Sequence, residues 1–387
     1  MKIREDFLNY AIPFWDDNEL NIVTDAVKSN WWSRGPKTNE FEKEFADYVG
    51  AKHAIALNSC TAAMHLALVS HGLKSGDEVI TTPMTFCSTA NTIVHTGATP
   101  VFADIFASTG LINPAEIERK ITKNTKGIMP VHYAGQACDM DVINAIAAKY
   151  NLFVVEDAAH AVYTTYKDKM IGSLGNATAF SFYATKNLAT GEGGMLTTDD
   201  DEFADTARVM CLHGMSKNAW NRYGKGGTWH YDVLRAGFKY NMTDIQAGLG
   251  LTQLKRLEFM QNIREKYAKM YNDAFFDTFG IEPLAQSTQG RHAWHLYVIK
   301  ITDGLNISRD EFIDKLSALN IGTSVHFIPV CNHPFYKENF NTNENDFPVA
   351  QKHFNQIISL PLYPSMKESD VNYVIEAVQS IAAEYAN

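Results

Sequence analysis

The chain of 387 residues reads as an α/β protein, with a large domain built on a mostly parallel sheet and a smaller α+β C-terminal domain. Three observations carry this reading. From His53 to Thr198, apolar runs of strand length alternate with segments of helical spacing, the pattern of parallel strands joined by crossover helices. The length suffices for one domain of about 250 residues and a second, smaller one. No internal repeat or low-complexity tract interrupts the pattern. We therefore expect an N-terminal arm and large domain over residues 1–250 and a small domain over 251–387.

In order, residues 1 to about 12 read as an arm. Asp17 to Ser29 carries Leu20, Val23, Ala26 and Val27 at helical spacing, and Asn30-Trp-Trp-Ser-Arg-Gly-Pro36 ends that helix. His53 to Leu57 is a strand, and Asn58-Ser-Cys-Thr61 opens a helix running through Ala62, Leu66 and Ala67. Strands follow at Asp77 to Pro83, Pro100 to Asp104, Lys126 to Val131 and Leu152 to Glu156, with helical segments at Pro114 to Ile121 and Met140 to Tyr150. Ala177 to Phe182 and Met195 to Thr198 complete the large sheet before a helix from Glu202 to Leu212. One long helix from Asp244 to about Phe275 should lead into the small domain. That domain is expected to contain strand His295 to Ile301, helix Ser308 to Leu319, strand Gly322 to Ile328 and a terminal helix Glu368 to Ala386.

Hydrophobic content of 45% and charged content of 20% are ordinary for a soluble globular protein. A net charge of −10 argues against a general nucleic-acid binder, although a local basic patch could still serve a phosphorylated ligand. Cys60, Cys87, Cys138, Cys211 and Cys331 show no paired spacing, so neither a zinc site nor a disulfide framework is indicated. They read as the reduced thiols of a cytoplasmic protein. Without an apolar leader or a run of membrane-spanning length, a soluble intracellular enzyme is expected.

The chemistry is concentrated in two stretches. In Phe180-Ser-Phe-Tyr-Ala-Thr-Lys186, a lysine follows a buried strand and precedes the cluster Gly191, Gly193 and Gly194. Burial and nearby cations would bring such an amine towards neutrality, where it attacks a carbonyl and holds it as a Schiff base. Alone, Lys186 could equally be a solvated loop lysine. The second stretch, Leu152-Phe-Val-Val-Glu-Asp-Ala-Ala-His160, ends a hydrophobic strand in Asp157, where open α/β sheets bind ligands. A Schiff-base lysine with an aspartate partner is the pattern of pyridoxal phosphate (PLP) chemistry. Free N–H groups at the helix start after Asn58, with the Thr61 hydroxyl, make an anion cradle, or Thr61 is a simple N-cap. Phe86 could stack on a flat ring or pack in the core. Trp31, Trp32 and Ser33 could line a pocket or cover a core edge, and His132 and Tyr133 follow a strand end towards the same place. Lys217, Arg222, Lys225, Arg235 and Lys239, among aromatic residues, suit a nucleotide diphosphate or a solvated loop.

From about residue 10 onward the chain resembles the DegT/StrS-type sugar-nucleotide aminotransferases of PLP fold type I, which are aspartate aminotransferase-like. The resemblance rests on Asn58-Ser-Cys-Thr-Ala-Ala-Met-His65, Gly76-Asp-Glu-Val-Ile80, Pro130-Val-His-Tyr-Ala-Gly135, Glu156-Asp-Ala-Ala-His160, Phe180 to Lys186 and Gly191-Glu-Gly-Gly194, in the family's order. It implies Lys186 as the catalytic lysine, Asp157 at the pyridine nitrogen, His160 near the ring phenolate oxygen and Phe86 stacked on the ring. It assigns Cys60, Thr61, Ala62 and Ser181 to the phosphate. Cys60 stands where the family more often has glycine. Asn241, in Gly237-Phe-Lys-Tyr-Asn-Met-Thr-Asp244, would reach the neighbour's cofactor phosphate across a homodimer. Trp32, Tyr183, Arg222 and His326 are the implied substrate contacts. His292-Ala-Trp-His-Leu-Tyr297 and Gly322-Thr-Ser-Val-His-Phe327 resemble the subset acting at C4 of UDP-linked sugars. The implied reaction moves an amine from L-glutamate to a UDP-linked 4-keto-6-deoxy-N-acetylhexosamine, with a UDP-4-keto-pentose or a dTDP-ketosugar as alternatives. A related PLP-dependent sugar dehydratase carries histidine in place of the lysine, so Lys186 argues against it. A non-enzymatic PLP-binding regulator would need a further domain that the chain does not show.

Overall fold

The computed structural model describes residues 2–216 and 230–386. Its first strand, β1 (His53–Leu57), shows how this sequence makes a sheet buried on both faces. Ile55 and Leu57 enter one apolar cluster while Ala54 and Ala56 enter another, so a strand with no polar face still has two distinct sides.

Helices α1 (Asp17–Lys28) and α2 (Pro36–Val49) precede β1, and α3 (Cys60–Ser70), β2 (Glu78–Thr81), α4 (Cys87–His95) and β3 (Thr99–Phe102) follow it. Next come α5 (Pro114–Arg119), β4 (Thr125–Met129), α6 (Met140–Tyr150) and β5 (Phe153–Asp157). A hairpin of β6 (Thr165–Tyr166) and β7 (Lys169–Met170) leads to β8 (Ala177–Ser181), β9 (Gly194–Thr198) and α7 (Asp201–Met210). The large sheet has the order β1-β9-β8-β5-β4-β2-β3, and β9 alone runs against the rest. Side chains of α3, α4 and α7 cover one face and those of α2 and α6 the other. Pro100, which has no N–H to donate, sits on the edge strand β3, where the missing bond costs least.

Helix α2 was not foreseen, although Phe41, Phe45 and Val49 recur at helical spacing and Pro36 occupies its first turn. Its cap comes from far along the chain. The buried carboxylate of Asp244 accepts the N–H groups of Gly35 (2.7 Å), Lys37 (3.1 Å) and Thr38 (3.0 Å), and the Thr38 hydroxyl (2.6 Å). Asp244 also opens α8 (Asp244–Lys255), so one carboxylate fixes two helix starts against each other.

The long helix expected from Asp244 to Phe275 is instead two. Arg256 (φ −111°) separates α8 from α9 (Leu257–Phe275), and its guanidinium holds the break by pairing with Asp16 at 2.9 Å and Glu19 at 3.4 Å. Helix α8 packs on α1 and α2, whereas α9 begins in the large core with Leu257 and Met260 and then packs on the terminal helix; residue 250 lies inside α8.

The C-terminal part then runs through β10 (Ile281–Pro283), β11 (Tyr297–Ile301), α10 (Arg309–Ala318), α11 (Pro334–Phe340), α12 (Pro348–Gln356), β12 (Ile357–Leu360) and α13 (Glu368–Glu384). Strands β10, β11 and β12 form an antiparallel sheet. Gly322 to Ile328, expected as a strand, bonds the Leu8 carbonyl of the arm through the Gly322 N–H and meets the sheet through Ser324 with Ser359, and the chain then leaves the sheet. The arm belongs to this unit too: Leu8 bridges Ile321 and sits in the small apolar core, and Arg4 pairs with Asp370 at 2.9 Å. The five cysteines are free, and no described helix is long and apolar enough to cross a membrane.

Asp244→Ala strands three backbone donors and a hydroxyl in the interior. The expected loss is about 2–4 kcal/mol in urea unfolding, seen as a lower midpoint with an unchanged slope.

Candidate active site

The carboxyl ends of β1, β2, β4, β5 and β8 open on one edge of the sheet, where α/β proteins bind ligands. A cavity of about 560 Å³ lies there, and the turns leaving those strands supply Cys60 and Thr61, Thr85 and Phe86, Val131, Asp157, and Ser181 with Lys186. The arm adds Tyr10, and the C-terminal unit adds His295, His326 and Phe327.

Lys186 follows β8, with its N–H bonded to the Tyr183 carbonyl at 2.9 Å. Burial lowers its ammonium pKa from 10.5 to about 8, while Cys60 and Asp157 work in the opposite direction. Desolvation, not the nearby cations expected from the sequence, therefore brings the amine towards neutrality. About a tenth of it is uncharged at pH 7, against about three parts in ten thousand for an unperturbed lysine.

Asp157, the last residue of β5, is 3% exposed. Its Oδ2 accepts the Thr89 hydroxyl at 2.7 Å and its Oδ1 accepts the Ala159 N–H at 3.1 Å. Thr89 is itself paired with the Thr85 hydroxyl at 2.7 Å. Burial raises the carboxyl pKa, opposed by Thr89, the Ala159 N–H, Lys186 and His132. Among the described residues Asp157 forms no salt bridge, so a protonated ring nitrogen in the cavity would be a cation matched to it.

Ser59, not Thr61, caps α3: its hydroxyl accepts the Ala62 N–H at 3.0 Å. The Ala62 N–H is thus engaged by the cap, and Ala62 is not among the residues lining the cavity. Cys60 and Thr61 remain at the helix start beside the Ser181 hydroxyl, a set suited to phosphate. Gly194 lets β9 press against this turn, since a Cβ there would lie 2.4 Å from the Ser59 carbonyl carbon and 2.5 Å from the Cys60 nitrogen. Phe86 is 59% exposed on the cavity wall, a free face for a planar ring. Amine, carboxylate, anion cradle and aromatic face together fit PLP.

His160 is buried beside them. Its Nδ1 accepts the Ala134 N–H at 3.3 Å, and burial first, then Lys186 and His326, hold its pKa far below the usual value, so the ring is neutral. His326 Nδ1 meets the Ser359 hydroxyl at 2.9 Å, and burial brings its pKa down to about 3. Tyr183 and Phe327 complete the apolar walls.

Other expected residues lie elsewhere. Trp32 is exposed outside the cavity lining, with its indole N–H on the Val27 carbonyl at 3.0 Å. His132 and Tyr133 are wholly buried behind the wall: His132 meets Glu156 at 2.8 Å, and the Tyr133 hydroxyl bonds the His326 carbonyl. Asn241 does not line its own chain's cavity, and its Oδ1 accepts the Lys239 ammonium at 2.6 Å. Lys217, Arg222 and Lys225 lie outside the described residues. Tyr10, Thr89 and Glu192 were not singled out. Thr89 was within reach of sequence reasoning, as a hydroxyl in the turn that also carries Phe86.

The sequence pattern described as the DegT/DnrJ/EryC1/StrS aminotransferase family matches residues 13–379. The chain is 58% identical over 380 residues to the spore coat polysaccharide biosynthesis protein SpsC of Bacillus subtilis (strain 168), covering 98% of each. The structure is similar to that of Spr1654 from Streptococcus pneumoniae in its PLP form (TM-score 0.91, 32% identity, 98% of this chain and 99% of that one). It is likewise similar to Helicobacter pylori PseC, an aminotransferase involved in the biosynthesis of pseudoaminic acid (TM-score 0.91, 28% identity, 98% of this chain and 100% of that one).

Competitive acylation of the cofactor-free protein, read by mass spectrometry from pH 6 to 11, should give Lys186 a reactivity that rises with pH through a midpoint at about 8 before levelling off. A midpoint near that of ordinary surface lysines would contradict the environment described.

Proposed function

We propose, for a chain that belongs to the DegT/DnrJ/EryC1/StrS aminotransferase family, that Lys186 is the catalytic residue of an enzyme that aminates C4 of a UDP-linked 4-keto-6-deoxy-N-acetylhexosamine at the expense of L-glutamate. The chain is a PLP-dependent transaminase. The observation that carries the reading is the placement of a partly desolvated amine and a buried carboxylate in one cavity with a helix N-terminus.

When bound, PLP supplies a carbonyl that captures amines and a ring that takes up the electron pair left when a proton leaves the adjacent carbon. Asp157 would hold a proton on the ring nitrogen, its two hydrogen bonds keeping the carboxylate in place. Cys60 and Thr61, with the Ser181 hydroxyl, would hold the phosphate and Phe86 would cover the ring, while His160 stands as a neutral group beside Lys186. Lys186 would hold the cofactor through its carbonyl. As a free amine it would take the proton from the donor Cα and, in the second half-reaction, give one to C4 of the sugar from its own side. That side decides the configuration of the new amine.

Support for a nucleotide-linked sugar comes from the relatives concerned with spore coat polysaccharide and pseudoaminic acid, which point to surface glycans. The two stretches with the C4-type resemblance supply His295, His326 and Phe327 to a cavity also walled by Tyr10, Phe86 and Tyr183, well suited to a sugar ring. Tyr183 and His326 are the contacts we assign to the sugar; Trp32 and Asn241 would act from the second copy of a homodimer.

The direct test is incubation with glutamate and a panel containing the UDP-linked N-acetylhexosamine, the UDP-4-keto-pentose and a dTDP-ketosugar, with products read by NMR. The N-acetylhexosamine should be aminated at C4 with the largest kcat/KM; preference for another member would reject the substrate assignment.

The shared site has its own test. Lys186→Ala and Asn241→Asp should each inactivate the homodimer, the second because a carboxylate would repel the cofactor phosphate. Reassorting equal amounts should restore about a quarter of wild-type activity, since about half the dimers are mixed and each mixed dimer holds one intact site. No recovery in mixed dimers confirmed by differential tags would mean that Asn241 serves its own chain.

A further inference from the structure

His295 is an unassigned neighbour of the reacting amine: its Nε2 lies 3.4 Å from Lys186 Nζ, within the same cavity. Its protonation can be read from the bonds around it. The Asn187 Nδ2 donates to the Ala293 carbonyl at 2.6 Å and to Gln261 Oε1 at 3.4 Å, which fixes the amide so that Oδ1 faces His295 Nδ1 at 3.1 Å. An amide oxygen only accepts, so Nδ1 carries the hydrogen. Burial first, then the field of Lys186 and the neighbouring imidazoles, keeps the ring neutral. Nε2 is therefore a bare lone pair aimed at the lysine.

The ring is held firmly in that direction. The Ala293 N–H bonds the Gly135 carbonyl at 2.9 Å and the Leu296 N–H bonds the Ala134 carbonyl at 3.2 Å, pinning the segment to the large unit on both sides of His295. Between these pins Trp294 adopts φ +47°, a left-handed conformation that a bulky residue rarely holds without support from its surroundings. The His160 ring closes the other side, with centroids 4.4 Å apart.

We propose that His295, oriented by Asn187, is the positioning residue for the Lys186 amine: its Nε2 accepts one N–H of the free amine or ammonium and turns the remaining valence of Nζ into the cavity, where the proton is exchanged. This rests on the reading of Lys186 as the catalytic amine. The acceptor favours the ammonium over the amine, so removing it lowers the lysine's affinity for its proton.

In full-length protein freed of cofactor, His295→Leu should move the competitive-acylation midpoint of Lys186 down by about one pH unit, and His295→Gln, whose Oε1 replaces Nε2 as acceptor, should restore most of it. In the holoenzyme His295→Leu should reduce kcat of the glutamate half-reaction about 10–100-fold with little change in KM, again with recovery in the Gln variant. ¹⁵N NMR of histidine-labelled wild-type protein provides a readout that needs no variant: His295 should show a protonated Nδ1 and an unprotonated Nε2 at neutral pH. The opposite tautomer, an unmoved midpoint in folded His295→Leu, or a folded Gln variant no better than Leu would each overturn the proposal. Borohydride fixation of added PLP, followed by peptide mapping, separates the two readings. Label on another lysine overturns the role of Lys186 and this inference with it. Label on Lys186 with an unmoved midpoint overturns this inference alone.

Discussion

The proposed role of Lys186 as nucleophile and base requires an amine kept from water without a counter-ion that locks it in the charged form. Around Lys186 the structure sets mostly groups that are polar yet electrically quiet. His160, His295 and His326 are all held neutral by burial, while Cys60 and Asp157, the latter bonded to Thr89 and Ala159, favour the ammonium less strongly than burial opposes it. The result is an amine titrating near 8, where a small change of environment converts it between its two working forms.

Much of this arrangement was legible in the chain because it is local. Strand β1 and helix α6 fall where hydrophobic spacing places them, and Lys186, Asp157, Thr61 and Ser181 each sit at or just after a strand end that the apolar runs reveal. What escaped was set by partners far away in sequence. Helix α2 begins at a glycine with no capping side chain, and its cap comes from Asp244, about two hundred residues later. Gly322 to Ile328 has the composition of a strand, but it meets the sheet through Ser324 alone among the described pairings before the chain turns to deliver His326 and Phe327 to the cavity. The break at Arg256 depends on two acids of the first helix region, Asp16 and Glu19.

Ala62 and Thr61 illustrate a finer limit. A motif indicates that a helix start binds an anion but not which residue caps it. With Ser59 rather than Thr61 as cap, the helix starts two residues earlier, and Cys60 and Thr61 line the cavity while the Ala62 N–H is taken up by the Ser59 hydroxyl. A two-residue shift of this kind comes from backbone geometry, which composition does not encode.

The reversed strand β9 has a wider consequence. Because the segment bearing Lys186 leaves one interior strand and returns along its neighbour, the lysine is tethered at both ends to the most rigid part of the molecule. Tyr10, His326 and Phe327 instead reach the cavity from segments attached to the C-terminal unit. Of the proposed sugar contacts, Tyr183 shares the segment that bears Lys186, whereas His326 is mounted on a separate support. A scaffold so divided can exchange the walls that recognise a substrate, through insertions and substitutions in the arm and the C-terminal segments, while the reacting nitrogen stays in register, which is a physical basis for diversification without reinventing the chemistry.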